Sequence, residues 1–448
     1  MTLLQVQPPA EEMLTNQAEQ LPSQNEPATV PEAPKFSWRA KVRSLFLVAL
    51  ALFLTVNASF TFTNAIRFDP YRYAYKGWAW WTMDDLRHSM EIHNVALLGS
   101  SLMVSAVAGC DANYLQKALD LTRYHRCAYL DDKMHEAFGG TFNTFNLSAP
   151  GQMPSDAFLS LKAMAATGNR PDVVVYGVAP RDFIDSMLSG PNDTEPFKYL
   201  SRIVNIDDVA NAEFRSMWSK LDWYFQRMVF FYSYALDIKL ALGELAEKGI
   251  NIAIPCPPSK HPFTWWDRVK LLPNYVPAEI HPEAVISGPI PREKITFVDN
   301  TKEYQARYRT PDPHTYRTQM YFLRKLAEYC HKERIELVLV NMPITYFNAR
   351  MLPAGIYEKY VAALREFAWN QNVVFYDLCD FKRYGNEDFH DTVHLNGFGA
   401  QKLFNLLMAE LVKDPRASTA FGLAGMQLEK HASLASHGDV WKRATPVY

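Results

Sequence analysis

An imbalance of charge is missing from this chain: 46 Lys and Arg stand against 48 Asp and Glu, a formal net charge of −2. There is no dense basic cluster either, so nothing points to nucleic acid as a partner. Paired cysteine motifs are missing too. Cys110, Cys127, Cys256, Cys330 and Cys379 show no Cys-x-x-Cys and no metal-ligand spacing, so neither a metal nor another cofactor is expected. An oxidising compartment would permit a Cys110–Cys127 bridge, and the odd count leaves at least one thiol unpaired in a monomer. Internal repeats are absent.

Apolar residues are not scarce. They make up 48% of 448 residues, with 10 Trp and 23 Tyr, enough for a large core. Such aromatics also suit a carbohydrate-facing surface. Residues 1–34 are rich in Pro, Glu, Gln and Ala and cannot bury enough surface to offset their ordering entropy. Residues 1–43 are therefore expected to be a disordered tail. From Ser44 to Ile66 the chain carries no charge, long enough for a membrane span of ~20 residues. Four cations (Lys35, Arg39, Lys41, Arg43) precede it and three (Arg67, Arg72, Lys76) follow. The positive-inside rule then gives a signal anchor with a cytoplasmic N-terminus and the folded part outside the cell membrane. Trp78, Trp80 and Trp81, in a connector over 67–90, would suit an interfacial belt.

Short apolar runs at Val95–Leu98, Thr144–Leu147, Val173–Gly177, Leu337–Asn341 and Val373–Tyr376 predict strands covered on both faces. Helical periodicity predicts Ser155–Ala166, Tyr316–Lys332, Tyr357–Asn370 and Ala400–Leu411. The alternation predicts an α/β fold over 91–414: three layers, α/β/α, around a short parallel flavodoxin-like sheet. It breaks over about 183–311, which reads as a helical insertion beside the site (Phe214–Trp223, Arg227–Leu242, then Pro-rich from Pro255 to Pro291). Residues 415–448 read as a loose tail.

Two motifs carry chemistry. Gly99-Ser100-Ser101 ends the first strand, where ligands bind in such sheets. Asp391-Thr392-Val393-His394 follows the last strand. A serine needs a base to take its proton, and the base needs a carboxylate to fix its tautomer. Asp-x-x-His alone is weak, because Asp85-x-x-His88 and Asp132-x-x-His135 repeat it. Only the third follows a late strand and precedes a helix, which makes Ser101, His394 and Asp391 the candidates. Ser101 as a plain helix N-cap is the bland reading. The Gly-x-Ser-x-Gly elbow of α/β-hydrolases is absent, with Met103 in its last glycine position.

The pattern resembles the SGNH (GDSL-like) hydrolase superfamily. Gly99-Ser100-Ser101 is similar to its first block, with Ser100 replacing the usual Asp. Asn146-Leu147-Ser148-Ala149-Pro150-Gly151 is similar to the second, and Asp391-Thr392-Val393-His394-Leu395-Asn396 to the last. The third block departs: Gly177-Val178-Ala179-Pro180-Arg181-Asp182 supplies no Asn. A membrane-anchored branch, including the D-alanylation protein DltD and proteins that O-acetylate alginate, resembles the chain more. The resemblance implies a serine acyltransferase or esterase acting on O-acyl groups of a cell-envelope polysaccharide, beside a membrane-bound O-acyltransferase partner. It also implies an oxyanion hole from the Ser101 and Gly151 amides. Arg181 is left three roles: oxyanion donor in place of Asn, ligand for an anionic substrate group, or surface ion-pair partner of Asp182 or Asp185. A non-catalytic binding or assembly protein on a degenerate scaffold is the competing class.

Overall fold

The computed structural model describes residues 45–63, 66–72, 76–188, 190–207, 209, 217–253 and 285–436. The expectations for residues 1–43, for Cys256, for most of the Pro-rich passage and for residues 437–448 fall outside them. Helix α1, Leu45–Thr63, has 19 residues. Its stretch Phe46–Thr63 is long and apolar enough to cross a membrane, and only 6% of it is buried. From Phe60 onward the chain forms one compact unit.

That unit is built on five parallel strands: β1 (Val95–Gly99), β2 (Thr144–Asn146), β3 (Val173–Val178), β4 (Glu336–Asn341) and β5 (Val374–Asp377). Their order is β2-β1-β3-β4-β5. Leu97 pairs with Asn146 on one side and Val175 on the other, and Gly99 pairs with Gly177. Every residue of β1 and β3 is buried, which is why both read as unbroken Val/Leu runs rather than as an alternation. The expected strands and the α/β class are thus observed. Strand order reverses between β1 and β3, and the crevice at their carboxyl ends is where such sheets bind ligands.

Its helices of ten or more residues are α2 (Trp78–His88), α3 (Ser101–Leu115), α4 (Ala128–Phe138), α5 (Pro154–Ala166), α6 (Met217–Met228), α7 (Ala235–Ala253), α8 (Pro313–Glu333), α9 (Ile356–Asn370), α10 (Gly397–Lys413) and α11 (Pro415–Ser436). Helix α5 packs on α8, while α10 packs on α3, α4 and α11. The α3–α10 approach depends on glycine at the crossing. A Cβ on Gly397 would lie 2.5 Å from the Gly109 carbonyl oxygen. This close crossing brings the start of α10, and the turn before it, against the helix that begins at Ser101.

Two expectations change and one open possibility closes. The tryptophans of the connector do not form an exposed belt. Trp81 is 3% exposed beside buried Ala79, Met83 and Leu86, and Trp78 Nε1 donates to the Ser148 carbonyl at 3.0 Å. Helix α2 is therefore part of the core, its rings serving as apolar bulk. Residues 415–436 are not a loose tail but a helix, with Ala417, Phe421, Ala424 and Leu428 buried. Phe421 stacks on Phe138 at 5.5 Å. Cys110 and Cys127 are buried free thiols, not a bridge.

Candidate active site

Strand β1 ends at Gly99, where no side chain fits. Its φ is +153°, and a Cβ would fall 2.7 Å from Met103 Cβ and 2.9 Å from the Gly177 carbonyl oxygen. Met103, which occupies the elbow's last glycine position, is buried core. The loop after β2 holds the strand end in place. Gln152 Oε1 accepts from the Gly99 amide at 2.8 Å, its Nε2 donates to the Leu147 carbonyl at 2.9 Å, and the Ala149 amide donates to the Gly99 carbonyl at 3.1 Å. Ser100 takes the extended N-cap position and Ser101 is the first residue of α3. Ser101 is therefore not the cap, and its hydroxyl is left for another partner.

That partner is His394. Its Nε2 lies 2.8 Å from Ser101 Oγ, and its Nδ1 lies 2.6 Å from Asp391 Oδ2. The other carboxylate oxygen of Asp391 accepts from the Val393 and His394 amides, both at 2.8 Å. One aspartate thus shapes the turn with one oxygen and faces the imidazole with the other. Burial alone would raise the Asp391 pKa. The imidazole and the two amides outweigh it and hold the carboxyl below its ordinary value. Asp391 is then a carboxylate throughout the neutral range, as a group that orients an imidazole must be.

The turn is clamped from outside. Thr392, wholly buried, donates from Oγ1 to Asn300 Oδ1 at 2.5 Å and accepts from Asn348 Nδ2 at 2.9 Å. Its carbonyl accepts from Thr345 Oγ1 at 2.8 Å, and Tyr308 OH donates to Asn348 Oδ1 at 3.0 Å. Ser105, one helical turn after Ser101, donates to the Leu395 carbonyl at 3.0 Å. Asn396 caps α10 by accepting from the Phe398 and Gly399 amides. The carboxyl-terminal end of the predicted insertion reaches this turn through Asn300 and through the Val298 amide, which donates to the His390 carbonyl at 2.7 Å.

Two backbone amides, one in the turn that carries Ser101 Oγ and one in the loop after β2, are left without an acceptor among the described residues. Neither the Ser101 nor the Gly151 N–H donates a hydrogen bond among the described residues. The first belongs to the opening turn of α3, whose N–H groups have no intrahelical acceptor. The second sits in a loop that needs Gly151 at a φ of +79°. Arg181 is not at the surface. It is 4% exposed, with Nη2 2.9 Å from Asp182 Oδ1, Nη1 3.7 Å from Asp185 Oδ2, and Nη1 donating to the Gly151 carbonyl at 3.1 Å. Arg307 adds a second cation, 2.5 Å from Asp185. The guanidinium is matched by buried carboxylates, and its contact with the site's loop is the hydrogen bond to the Gly151 carbonyl. Burial, against the pull of Arg181, raises the Asp182 pKa to about 6.

The other two Asp-x-x-His copies are engaged elsewhere. His88 Nδ1 lies 2.7 Å from the Asp84 carbonyl and Asp85 pairs with Arg123. His135 Nδ1 lies 2.5 Å from the Gly140 carbonyl, and Asp132 accepts from Tyr114 OH at 2.7 Å. Among the described residues no cluster of three or more His, Cys, Asp or Glu is arranged to hold a metal.

No family model and no curated protein matches the chain. Among solved structures, a Bacteroides fragilis protein provisionally described as an acylhydrolase is similar at 9% identity and a TM-score of 0.28, over 74% of this chain and 95% of that one. At that distance it is the geometry of Ser101, His394 and Asp391 that carries the functional reading.

Proposed function

We propose that this protein is a membrane-tethered, SGNH-type serine acyltransferase or esterase acting on O-acyl groups of a cell-surface or exported polysaccharide. The observation that carries the reading is the continuous chain Asp391–His394–Ser101, at 2.6 and 2.8 Å. Ser101 Oγ attacks the acyl carbonyl carbon while its proton passes to His394 Nε2. The tetrahedral oxyanion is received by the Ser101 and Gly151 amides, each worth ~3 kcal/mol in such sites. His394 then gives the proton to the departing alkoxide, leaving an acyl-serine. A sugar hydroxyl or water, deprotonated by His394, attacks that ester and restores Ser101.

Whether sugar or water takes the acyl group depends on which reaches the acyl-serine first. The resemblance to the anchored branch supports transfer, with a membrane-bound O-acyltransferase as acyl supplier. Helix α1 supports the tether, and the cations flanking it support an N-terminus in the cytoplasm. The second reading, a binding or assembly protein, is favoured by one observation: Arg181, in place of the third-block Asn, is matched by buried carboxylates.

The test is labelling of the full chain with a serine-reactive fluorophosphonate, followed by peptide mapping. The reading expects modification of Ser101 that disappears in His394→Ala. A folded protein that stays unlabelled, and forms no acyl-serine with an activated acetyl ester, would shift the assignment to the binding role.

A further inference from the structure

Helix α6 turns the wrong face to water. Met217, Trp218, Leu221, Tyr224, Phe225 and Met228 recur at the spacing of a single helical stripe. Five of them are exposed, Trp218 at 79% and Met228 at 66%. On another side of the helix Trp223 is 9% exposed and fixes α6 to the domain. In the segment that follows, Tyr232, Leu242 and Leu245 are also about half exposed or more. An exposed apolar stripe of this kind on a folded unit marks an interaction site.

Its occupant is indicated by where the segment is anchored. Phe60, in the last turn of α1, stacks on Phe230 at 5.0 Å and meets Phe231 edge-on at 5.9 Å. Phe68 adds contacts to Phe230 and Tyr234. Phe60 stands at the carboxyl end of the apolar stretch, where a span leaves the hydrocarbon. Rings stacked on it therefore lie at headgroup depth, the level that Trp and Tyr favour. An open cavity of about 1180 Å³ at the same junction combines Phe60, Phe68, Trp223 and Phe230 with Lys198 and Arg202. The rings suit acyl chains, and Lys198 supplies a cation for an anionic headgroup, while the Arg202 guanidinium is matched by Asp237 at 2.6 Å.

We infer that α6 lies in the bilayer interface, its Met217–Met228 stripe embedded among lipids, so that the insertion forms a second attachment of the domain to the membrane. An amphipathic helix of this design sinks ~5–10 Å into the headgroup boundary. The inference rests on reading α1 as a span, and it leaves the hydrolytic reading free to stand or fall separately.

The test is photo-cross-linking of the full chain in nanodiscs of phosphatidylethanolamine and phosphatidylglycerol. Benzoylphenylalanine replaces Phe225 or Trp218, an aromatic-for-aromatic exchange on an exposed face that spares packing. Leu52 of α1 and Trp369 of α9, both exposed, serve as membrane and solvent references. Lipid adducts at Phe225 and Trp218 comparable to Leu52, and about ten-fold or more above Trp369, are expected for an embedded stripe. Adducts at Leu52 alone overturn the interfacial helix. So do adducts joining Phe225 to another polypeptide, which would make the patch a protein-docking face. Adducts at Phe225 without Leu52 overturn the span, and with it the second attachment that rests on it. Fluorophosphonate labelling of Ser101 on the same samples reports the catalytic reading independently.

Discussion

Asp132-x-x-His135 and Asp391-x-x-His394 share one spacing and do different things. In α4 the two side chains lie on neighbouring positions of a helical face, where i and i+3 can meet. They do not meet. Helical amides already donate to carbonyls four residues back, so the Asp132 carboxylate finds none nearby and turns to Tyr114 OH, while His135 turns to the Gly140 carbonyl. Asp391 sits in a turn whose amides at Val393 and His394 are available. One oxygen takes both, and the other is left 2.6 Å from the imidazole. The motif becomes a hydrogen-bonded Asp–His pair only where the backbone leaves its amides to the aspartate.

The largest way to break this contrast is to remove the groups that only the second copy assembles. Ser101→Ala or His394→Ala should lower turnover of an activated acetyl ester by a factor on the order of 10³–10⁶, with folding unchanged by circular dichroism. A Ser101→Ala protein of undiminished turnover would end the proposed mechanism. Asp391→Asn should cost ~10⁴ in kcat, within the same range, because the amide keeps the turn but presents the wrong hydrogen-bonding group to Nδ1.

Asp391→Asn also has a stability signature with a definite sign. The folded-state pKa lies below the ordinary carboxylate value. Its contribution is therefore fully present above the unfolded pKa of ~3.9 and is lost as pH falls through the lower folded value. Each unit of that depression is worth about 1.4 kcal/mol. Denaturant titrations should show wild type more stable than Asp391→Asn at pH 6, with the gap closing in acid. A gap independent of pH would place the effect in packing rather than charge.

A finer break leaves all three candidate side chains in place. Thr392→Val keeps the volume but removes the donor to Asn300 and the acceptor for Asn348. The Asn300 oxygen keeps the Thr392 amide at 3.2 Å, but the buried Asn348 side-chain amide is left without its acceptor, which costs about 1–3 kcal/mol of stability. Displacing the turn should lower kcat about ten-fold with KM unchanged, and Thr392→Ser should restore it. Loss of stability with kcat intact would make the clamp structural only.

The sheet was legible because its strands are buried on both faces, so Val95–Leu98 and Val173–Gly177 stand out as apolar runs. Ser101, His394 and Asp391 were legible from their context, a strand end and a late turn before a helix. Thr392's partners were not. Asn300 and Asn348 lie 92 and 44 residues from it along the chain, and no spacing rule connects polar residues that only the tertiary fold brings together. The tryptophans of α2 misled because headgroup depth and protein core accept the same rings. The helix after Pro415 was within reach: Ala417, Phe421, Ala424 and Leu428 already follow helical spacing.

The smallest effect expected is the most demanding check on the comparison. His88 and His135 are both exposed, and each holds a backbone carbonyl of its own neighbourhood rather than a carboxylate three residues back. His135→Ala removes one contact to Gly140 near a helix end, worth ~1 kcal/mol at most for such a bond. His88→Ala removes a contact that a surface helix end can replace with water. Neither should change ester turnover beyond about two-fold, since surface substitutions away from a site usually stay within ±0.5 kcal/mol. Measured beside His394→Ala, the pair asks whether spacing or surroundings makes the base. If His135→Ala lost activity as His394→Ala does, the amide-filled turn would not be what separates the copies, and the site would have to be sought near α4.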